Sequence, residues 1–149
     1  MLSHPNVVPI LDVTLNSQYQ LFVVSELCPY DLREMISNSK EHMTEDEVLS
    51  IFTSVALALE NTHHCGDVHR NLRTEHIFFT ANGEVKVGSF GNHRVMSYNG
   101  DHSDIPTNEP RYMAPEMQAG HRKWTMPHDI WALGVVLFEM CSLRLMDPI

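Results

Sequence analysis

The sequence predicts an α+β fold in which two β-hairpins accompany two long helices. Apolar segments rich in β-branched residues near the N-terminus are typical of strands. A capping box at Thr44, followed by an apolar stripe, indicates a long helix. With 149 residues and 43% hydrophobic content, the chain is sized for one core, so we expect one domain.

The first predicted element is an antiparallel hairpin. Its strands are Val7–Val13 and Gln20–Ser25, separated by the polar residues Asn16-Ser17-Gln18. A lone hairpin is marginal in water, and apolar side chains left exposed on it would favour association with another chain. The side chains expected on that uncovered apolar face are Val7, Ile10, Leu21 and Val23.

Two helices follow the hairpin. The first is predicted to begin near Asp31, after the turn-forming Pro29, and its apolar residues with helical spacing are Leu32, Met35 and Ile36. The second begins at Thr44, because Thr44 and Glu47 form a capping box in which each side chain bonds the other residue's backbone amide. Its apolar stripe consists of Val48, Ile51, Phe52, Val55 and Leu59, and Gly66 ends it.

A second hairpin and an apolar helix complete the prediction. Ile77–Phe79 and Val85–Val87 flank Asn82-Gly83, a strong hairpin signal because both turn residues tolerate positive φ. Ile130–Cys141 is apolar apart from Glu139 and is too short to cross a membrane. This segment therefore predicts a buried helix.

Charge and composition exclude several classes of function. The net charge of -9 opposes binding to nucleic acid and to anionic membranes, since both require a basic face. No signal-peptide pattern is present at the N-terminus, which favours a cytoplasmic or nuclear location. Cys28, Cys65 and Cys141 are far apart without a C-x-x-C spacing and are interpreted as reduced thiols. The ten histidines show no metal-ligand spacing, so we expect no metal site.

The stretch His69–His76 has the outline of a phosphoryl-transfer loop. The protein kinase signature is H-R-D-L-x-x-x-N, in which Asp is the catalytic base and Asn binds magnesium. This chain carries Asn71 and His76 at those two positions. Ser89-Phe90-Gly91 stands where the family has D-F-G, whereas Ala114-Pro115-Glu116 matches A-P-E intact. In these ordered motifs the chain resembles the protein kinase family.

Two further segments support the resemblance. Asp129–Gly134 is similar to the family's long buried helix, and Thr80–Val87 is similar to the NIMA-related type of serine/threonine kinase. The resemblance implies a protein-kinase-like fold, mostly the helical large lobe with a β-hairpin remnant of the small lobe. Residues 1–149 would form a partial domain, with the small-lobe remnant and the start of the hinge in 1–26. The large-lobe portion would occupy 27–149 and stop after the long helix.

The resemblance also implies that parts of the catalytic machinery are missing. The glycine-rich phosphate loop and the strand lysine would precede the segment His4–Val8, and the later helices of the large lobe would follow the long helix. We expect neither part in this chain.

The catalytic positions have lost their carboxylates. Asn71 can hold a hydroxyl but cannot accept its proton, and losing a general base costs ~10²–10⁴ in rate. Ser89 and His76 occupy the lost magnesium-ligand positions: Ser89 offers a neutral oxygen in place of an anionic one, and His76 offers a soft nitrogen ligand that is unsuited to magnesium. Arg73 takes the place of the family's phosphate-contacting lysine, and Glu109 takes the place of a threonine near it. A bidentate Arg73–Glu109 ion pair is one hypothesis, and independent surface charges are the alternative.

Other matched residues are expected to be structural. By resemblance, His69 and Phe90 pack into the family's internal hydrophobic spine beside Gly91, and Asp129 receives backbone amides of the catalytic loop. Glu116 would lack the distant arginine that pairs with it in the family, so we expect it to be either exposed or strained.

The polar, turn-rich segment 92–109 is expected to be a surface loop, which the resemblance identifies as the activation segment. Arg70 would contact it in the family. The candidate partners of Arg70 are phosphorylated Ser97, Tyr98, Ser103 or Thr107, or unmodified Asp101 or Asp104, and the remaining alternative is a structural arginine near a solvated loop.

A half-open nucleotide pocket is the last feature that the resemblance implies. Glu26, Leu27 and Cys28 would form the hinge beside the gatekeeper Ser25, with Asp31 at the ribose position and Phe78 as the adenine floor. Because the phosphate-binding parts are absent, we expect no cofactor. ATP and magnesium would be required only if the chain is an active kinase.

Three hypotheses of function follow. The main one is a catalytically inactive protein-kinase-like module, or pseudokinase, that acts by binding or scaffolding a protein partner. The alternative is a residual ATP-dependent serine/threonine kinase whose missing parts lie outside this chain. A non-functional gene relic is the third.

Overall fold

The hairpin predicted near the N-terminus is confirmed. The computed structural model describes residues 3–89, 110–120 and 123–145. Strands β1 (Ile10–Leu15) and β2 (Leu21–Ser25) pair antiparallel, with Val13 opposite Val23 and Leu15 opposite Leu21. Every residue of both strands is exposed. The hairpin therefore projects its apolar side chains away from the core.

Val7 corrects one expectation about the hairpin's apolar face. It is only 5% exposed and forms a parallel bridge with Val87, so it belongs to the main core. The amide of Val8 donates to the Val87 carbonyl at 2.9 Å, and the amide of Val87 donates to the Asn6 carbonyl at 2.8 Å. These backbone bonds anchor the base of the hairpin to the second sheet.

That second sheet has the order β3-β4-β5 and is antiparallel throughout. Its strands are β3 (Tyr30–Asp31), β4 (Ile77–Phe79) and β5 (Val85–Val87). The turn between β4 and β5 contains Gly83 at φ +81°, as its Asn-Gly sequence predicted. Ile77 and Val87 are fully buried, so this small sheet forms one wall of the core.

The two helices predicted after the hairpin are also confirmed. Helix α1 (Leu32–Asn38) begins at Asp31, and helix α2 (Glu45–His64) begins at Thr44. Both N-caps form capping boxes, with Glu34 and Glu47 as the partners of Asp31 and Thr44. The capping boxes give hydrogen-bond partners to backbone amides at the two helix N-termini. The apolar faces of the helices then drive packing.

Helix α3 (Pro115–Gln118) is short and begins within the A-P-E match. Helix α4 (Met126–Ser142) is the predicted apolar helix. Val136 and Met140 of α4 are fully buried against the core. The prediction of a wholly buried helix is wrong, however, because Ile130 and Phe138 are 54% and 49% exposed. Among the described residues, no helix is both long and apolar enough to span a membrane.

Candidate functional site

Asp129 organises the loop that begins at His69. Its Oδ2 accepts the His69 backbone amide at 2.8 Å, and its Oδ1 accepts the Arg70 amide at 3.0 Å. The ring Nε2 of His63, at the end of α2, lies 2.8 Å from the same Oδ2. Asp129 is 1% exposed, so this buried carboxylate is satisfied by three donors from two segments. The contribution of His63 was not predicted from the sequence.

The ring of His69 links the loop to the turn after β5. Its Nε2 donates to the Gly88 carbonyl oxygen at 2.9 Å, and its Nδ1 accepts the Asn71 amide at 3.2 Å. The carbonyl partner fixes the proton on Nε2. His69 is fully buried, and its two hydrogen bonds place the segment ending at Ser89 directly beside the loop.

His76 holds the loop from its other end. Its Nδ1 donates to the backbone carbonyl oxygen of Asn71 at 2.7 Å. Both residues are half-buried. The imidazole therefore fixes the backbone at the degenerate base position.

Two residues of this region have left-handed backbone conformations. Arg70 has φ +69° and Ser89 has φ +62°, although neither is glycine. Such conformations cost about 1–3 kcal/mol each and persist only where the surrounding structure imposes them. The two positions fall within the loop and at the D-F-G match, so the surrounding structure imposes strained backbone at this site.

The donor set does not suit magnesium. Asn71 offers an amide, Ser89 a hydroxyl and His76 an imidazole, whereas magnesium is bound mainly through anionic oxygen. In residues 3–89, 110–120 and 123–145, no three His, Cys, Asp or Glu side chains are grouped closely enough to hold a metal ion.

Arg73 contacts a neighbour within the same loop. Its Nε lies 3.8 Å from Glu75 Oε2, in a pair whose side chains are 26% and 31% exposed. Glu109, the hypothesised partner of Arg73, lies outside the described residues, as do Phe90 and Gly91. The candidate activation-segment partners of Arg70 also lie outside them: Ser97, Tyr98, Asp101, Ser103, Asp104 and Thr107.

A buried polar network joins α1, the loop and α4. Glu139 is 0% exposed, and its Oε2 accepts the Tyr112 hydroxyl at 2.6 Å and the Thr74 hydroxyl at 3.3 Å. Arg33 Nη2 lies 3.0 Å from the Tyr112 hydroxyl, 3.2 Å from Glu75 Oε1 and 3.7 Å from Glu139 Oε2. Burial and the hydrogen bond to Glu139 raise the pKa of Tyr112 well above its usual value. The network ties Tyr112, two residues before A-P-E, to the loop.

Sequence reasoning did not find this network. The sequence offered one indication of it, since Glu139 is the single charged residue within an apolar segment. A lone carboxylate on the buried face of a helix requires hydrogen-bond donors. Its partners Arg33, Thr74 and Tyr112 are far apart in the chain, so only the fold identifies them.

The structure also answers the question raised for Glu116. Its side chain is 41% exposed, and its Oε1 lies 3.2 Å from Nε2 of the buried His128. Nδ1 of His128 accepts the Thr125 backbone amide at 2.8 Å, which leaves Nε2 on the side of Glu116. Glu116 is therefore neither buried nor unpaired.

A cavity of about 220 Å³ lies where the nucleotide half-pocket was expected. Residues lining it include Val8, Ile10, Val23, Ser25, Phe78, Gly88 and Ser89. Phe78 forms a wall so close to Gly88 that a Cβ added at Gly88 would lie 2.8 Å from the Phe78 ring. This volume is below the ~300 Å³ at which ligand pockets usually begin.

The hinge residues make other contacts. Glu26 Oε2 lies 2.8 Å from Lys86 Nζ, which joins the hinge to β5. Burial and the nearby Glu26 carboxylate raise the pKa of the Cys28 thiol, so it is a poor nucleophile. Asp31, expected at the ribose position, uses Oδ1 to accept the Glu34 amide at 2.9 Å as the cap of α1.

Comparison with known proteins agrees with the motif order. The model of the protein kinase domain matches residues 1–146. Mouse serine/threonine-protein kinase Nek5 is 32% identical over 146 residues, covering 96% of this chain and 23% of Nek5. Mouse Nek1 is 32% identical over 96% of this chain and 12% of its own length. Human Nek2 is 31% identical over 95% of this chain and 34% of its own length. The chain thus spans between 12% and 34% of the length of these relatives, and it belongs to the protein kinase family.

Proposed function

We propose that this chain is a catalytically inactive, kinase-like binding module. The main support for the proposal is a contrast, within the loop His69–His76, between the hydrogen-bonded backbone and the side chains at the catalytic positions. Hydrogen bonds that Asp129 accepts and that His69 and His76 donate hold the backbone. The positions of the catalytic base and of both metal ligands carry Asn71, His76 and Ser89, which offer an amide, an imidazole and a hydroxyl. The loop keeps its shape without the groups that phosphoryl transfer requires.

Each substitution removes a separate requirement. An amide at Asn71 positions a hydroxyl but accepts no proton, and Arg73 supplies a cation that is already beside Glu75. Without an anionic oxygen at Ser89, the charge that develops on the transferred phosphoryl group has no bound metal to neutralise it. These defects raise the activation free energy of phosphoryl transfer in different ways. Restoring one residue therefore does not remove the effect of the other changes.

Exposed apolar surface supports a binding role. On one face of the hairpin, Val13, Leu15, Leu21 and Val23 are 52%, 64%, 40% and 50% exposed. Two strands with open edges and an uncovered apolar face favour pairing with another polypeptide. A protein partner is therefore proposed, in the cytoplasm or nucleus, where the free thiols of Cys28, Cys65 and Cys141 stay reduced.

A residual kinase is the second candidate, because the matched relatives are named serine/threonine-protein kinases. The left-handed conformations of Arg70 and Ser89 also favour it, because strained backbone is typical of active sites. In that case ATP and magnesium would bind, and the γ-phosphate would pass to a serine or threonine hydroxyl.

Thermal shift titration with ATP separates the two candidates. The chain would be titrated with ATP plus magnesium, with ATP plus EDTA, and with magnesium alone. We expect the melting temperature to be the same in all three series, because Asn71, His76 and Ser89 supply no carboxylate to bind magnesium. The matched variant carries His76→Asn and Ser89→Asp, which restore both metal-ligand positions. A magnesium-dependent rise in the melting temperature of the unmodified chain would reject the proposal that the chain is catalytically inactive.

A further inference from the structure

Asn82 lies at the exposed tip of the turn between β4 and β5 and is followed directly by Gly83. Among the residues that the structure describes, no hydrogen-bond partner holds the Asn82 side chain. The other asparagines of the described ranges precede residues that have a side chain: Asn6, Asn16, Asn38, Asn61 and Asn71. Asn82 is therefore the described asparagine whose amide group is least restrained and whose neighbour is least bulky.

Asn6 and Asn16 show how hydrogen bonds fix an asparagine side chain elsewhere in the chain. Asn6 Nδ2 donates to the Val85 carbonyl oxygen at 2.9 Å, and Asn16 Nδ2 donates to Gln20 Oε1 at 2.8 Å. Both bonds hold the side-chain amide away from the backbone nitrogen of the next residue. The exposed side chain of Asn82 can instead rotate until its Cγ faces the nitrogen of Gly83.

Gly83 offers that nitrogen without steric protection. Glycine has no Cβ, and a Cβ built at this position would have no neighbour within 4 Å. Its φ of +81° belongs to the turn that the Asn-Gly sequence favours. The space beside the Gly83 nitrogen is therefore open to the Asn82 side chain.

We propose that Asn82 is a site of spontaneous deamidation through a cyclic imide. The Gly83 nitrogen loses its proton to hydroxide and bonds to Asn82 Cγ, while the bond from Cγ to Nδ2 breaks and the side-chain nitrogen leaves as ammonia. Water then opens the imide. Opening at Cγ gives aspartate, and opening at the main-chain carbonyl carbon gives isoaspartate. The sum is one water consumed and one ammonia released, so no oxidant, reductant or enzyme is required.

Hydrogen bonds within the turn control the rate of this reaction. The Gly83 amide donates to the Thr80 carbonyl oxygen at 2.9 Å, so it must leave this acceptor before it attacks. The Thr80 amide donates to the Glu84 carbonyl oxygen at 3.0 Å, and the Glu84 amide donates to Thr80 Oγ1 at 3.1 Å. An exposed turn opens locally without unfolding of the core. We expect the folded chain to react about tenfold more slowly than a free peptide, the factor for opening one hydrogen bond.

Both products change the hairpin between β4 and β5. The new carboxylate makes the net charge more negative than -9 and lies two residues from Glu84. Isoaspartate also inserts a carbon into the main chain of a turn whose flanking residues, Phe79 and Val85, are paired. Because this sheet forms a wall of the core, the isoaspartyl form should melt at a lower temperature. The reaction does not depend on whether the chain transfers phosphate, so its test and that of the proposed function can fail separately.

Peptide mapping of the full 149-residue chain, stored at neutral and mildly alkaline pH, tests the proposal. Trypsin cleaves after Arg73 and Lys86, so the peptide Thr74–Lys86 contains Asn82 as its single asparagine. We expect this peptide to gain the mass of an amide-to-carboxyl exchange and to separate into two forms, for aspartate and isoaspartate. Their formation should accelerate as the pH rises, because the attacking nitrogen must be deprotonated. A synthetic peptide of the same sequence gives the reference rate.

Two variants separate the chemistry from the control by the turn. Asn82→Gln keeps an amide but lengthens the side chain by one carbon, which disfavours ring closure, so we expect no conversion. Thr80→Val removes the hydroxyl that accepts the Glu84 amide and should accelerate conversion about two- to tenfold, the factor for one lost hydrogen bond. If Thr80→Val unfolded the chain, its rate would equal that of the synthetic peptide. Asn61, within α2, is the internal control in every digest and stays unmodified.

Two results would overturn the assignment of Asn82. One is a Thr74–Lys86 peptide that stays unmodified over several times the expected tenfold delay. The other is an equal mass gain in Asn82→Gln. A folded chain that reacts at the rate of the synthetic peptide, with no acceleration in Thr80→Val, would overturn the control by the turn.

Discussion

His76 donates its Nδ1 proton to the backbone carbonyl oxygen of Asn71 across 2.7 Å. These two residues stand at the positions where the kinase family carries a metal ligand and the catalytic base. The hydrogen bond joins the two ends of the loop through protein atoms alone.

Asp129 is expected to be the most sensitive position in the loop region. Asp129→Ala leaves the amides of His69 and Arg70 buried without their acceptor, which should lower the free energy of unfolding by about 2–4 kcal/mol. Urea denaturation followed by circular dichroism measures the loss. Asp46→Asn, at an exposed position in the first turn of α2, is the control and should cost far less. A loss at Asp129 no larger than at Asp46 would contradict this role.

The Tyr112 hydroxyl should make stability depend on alkaline pH. Burial and Glu139 raise the folded-state pKa of Tyr112, so the folded protein holds this proton more tightly than the unfolded chain. Its contribution is complete below the unfolded pKa and declines as the pH rises above about 10.

Tyr112→Phe should therefore lower the free energy of unfolding by about 1–3 kcal/mol at neutral pH and remove that alkaline decline. Denaturation series at several alkaline pH values compare the variant with the unmodified chain. Tyr19→Phe is the control, because Tyr19 is 89% exposed. Parallel curves for Tyr112→Phe and the unmodified chain would argue against a buried hydroxyl at this site.

Two glycine-to-alanine changes should have opposite signs. At Gly88 the new methyl group would lie 2.8 Å from the Phe78 ring, and the resulting overpacking should cost about 1–3 kcal/mol. At Gly134 the methyl group meets open space within a helix, and the change should stabilise by roughly 0.5–1 kcal/mol. The melting temperatures of the two variants, compared with that of the unmodified chain, test both expectations. A stabilising Gly88→Ala would mean that Phe78 does not press against this turn.

Restoring only the base should not restore activity. Asn71→Asp supplies a carboxylate at the loop, but Ser89 still offers no anionic oxygen for magnesium and His76 still offers an imidazole nitrogen. We expect no transfer of radiolabelled γ-phosphate from ATP to serine-containing peptides. The comparison is the triple variant with Asn71→Asp, His76→Asn and Ser89→Asp. Measurable transfer by Asn71→Asp alone would favour the residual-kinase hypothesis.

The exposed hairpin should make stability depend on protein concentration. Val13 and Val23 are directly opposite and half exposed, so Val13→Lys with Val23→Glu replaces an apolar pair by an ion pair. We expect the unmodified chain to melt at higher temperature as its concentration rises, and the double variant to lose this dependence. Thr14→Lys, on the opposite face of β1, is the control. Concentration-independent two-state melting of the unmodified chain would reject association through the hairpin.

Local signals accounted for much of the fold. The capping box of Thr44 and Glu47 and the turn at Asn82-Gly83 involve residues a few positions apart, and both form as predicted. The His69 loop was recognisable because its motif is contiguous. The burial of Glu139 and Val7 was harder to predict, because the burial of a single side chain depends on partners that are distant in the sequence.

The sequence by itself determined the family, the order of the elements and the replacement of carboxylates at Asn71 and Ser89, since these are properties of contiguous residues. Only the tertiary structure decided which donors satisfy Asp129 and Glu139, how Glu116 is paired, and that one face of α4 is uncovered. Hydrogen bonding and burial are relations between segments brought together by folding. A linear pattern identifies the groups that need partners, and the packed chain determines which partners they have.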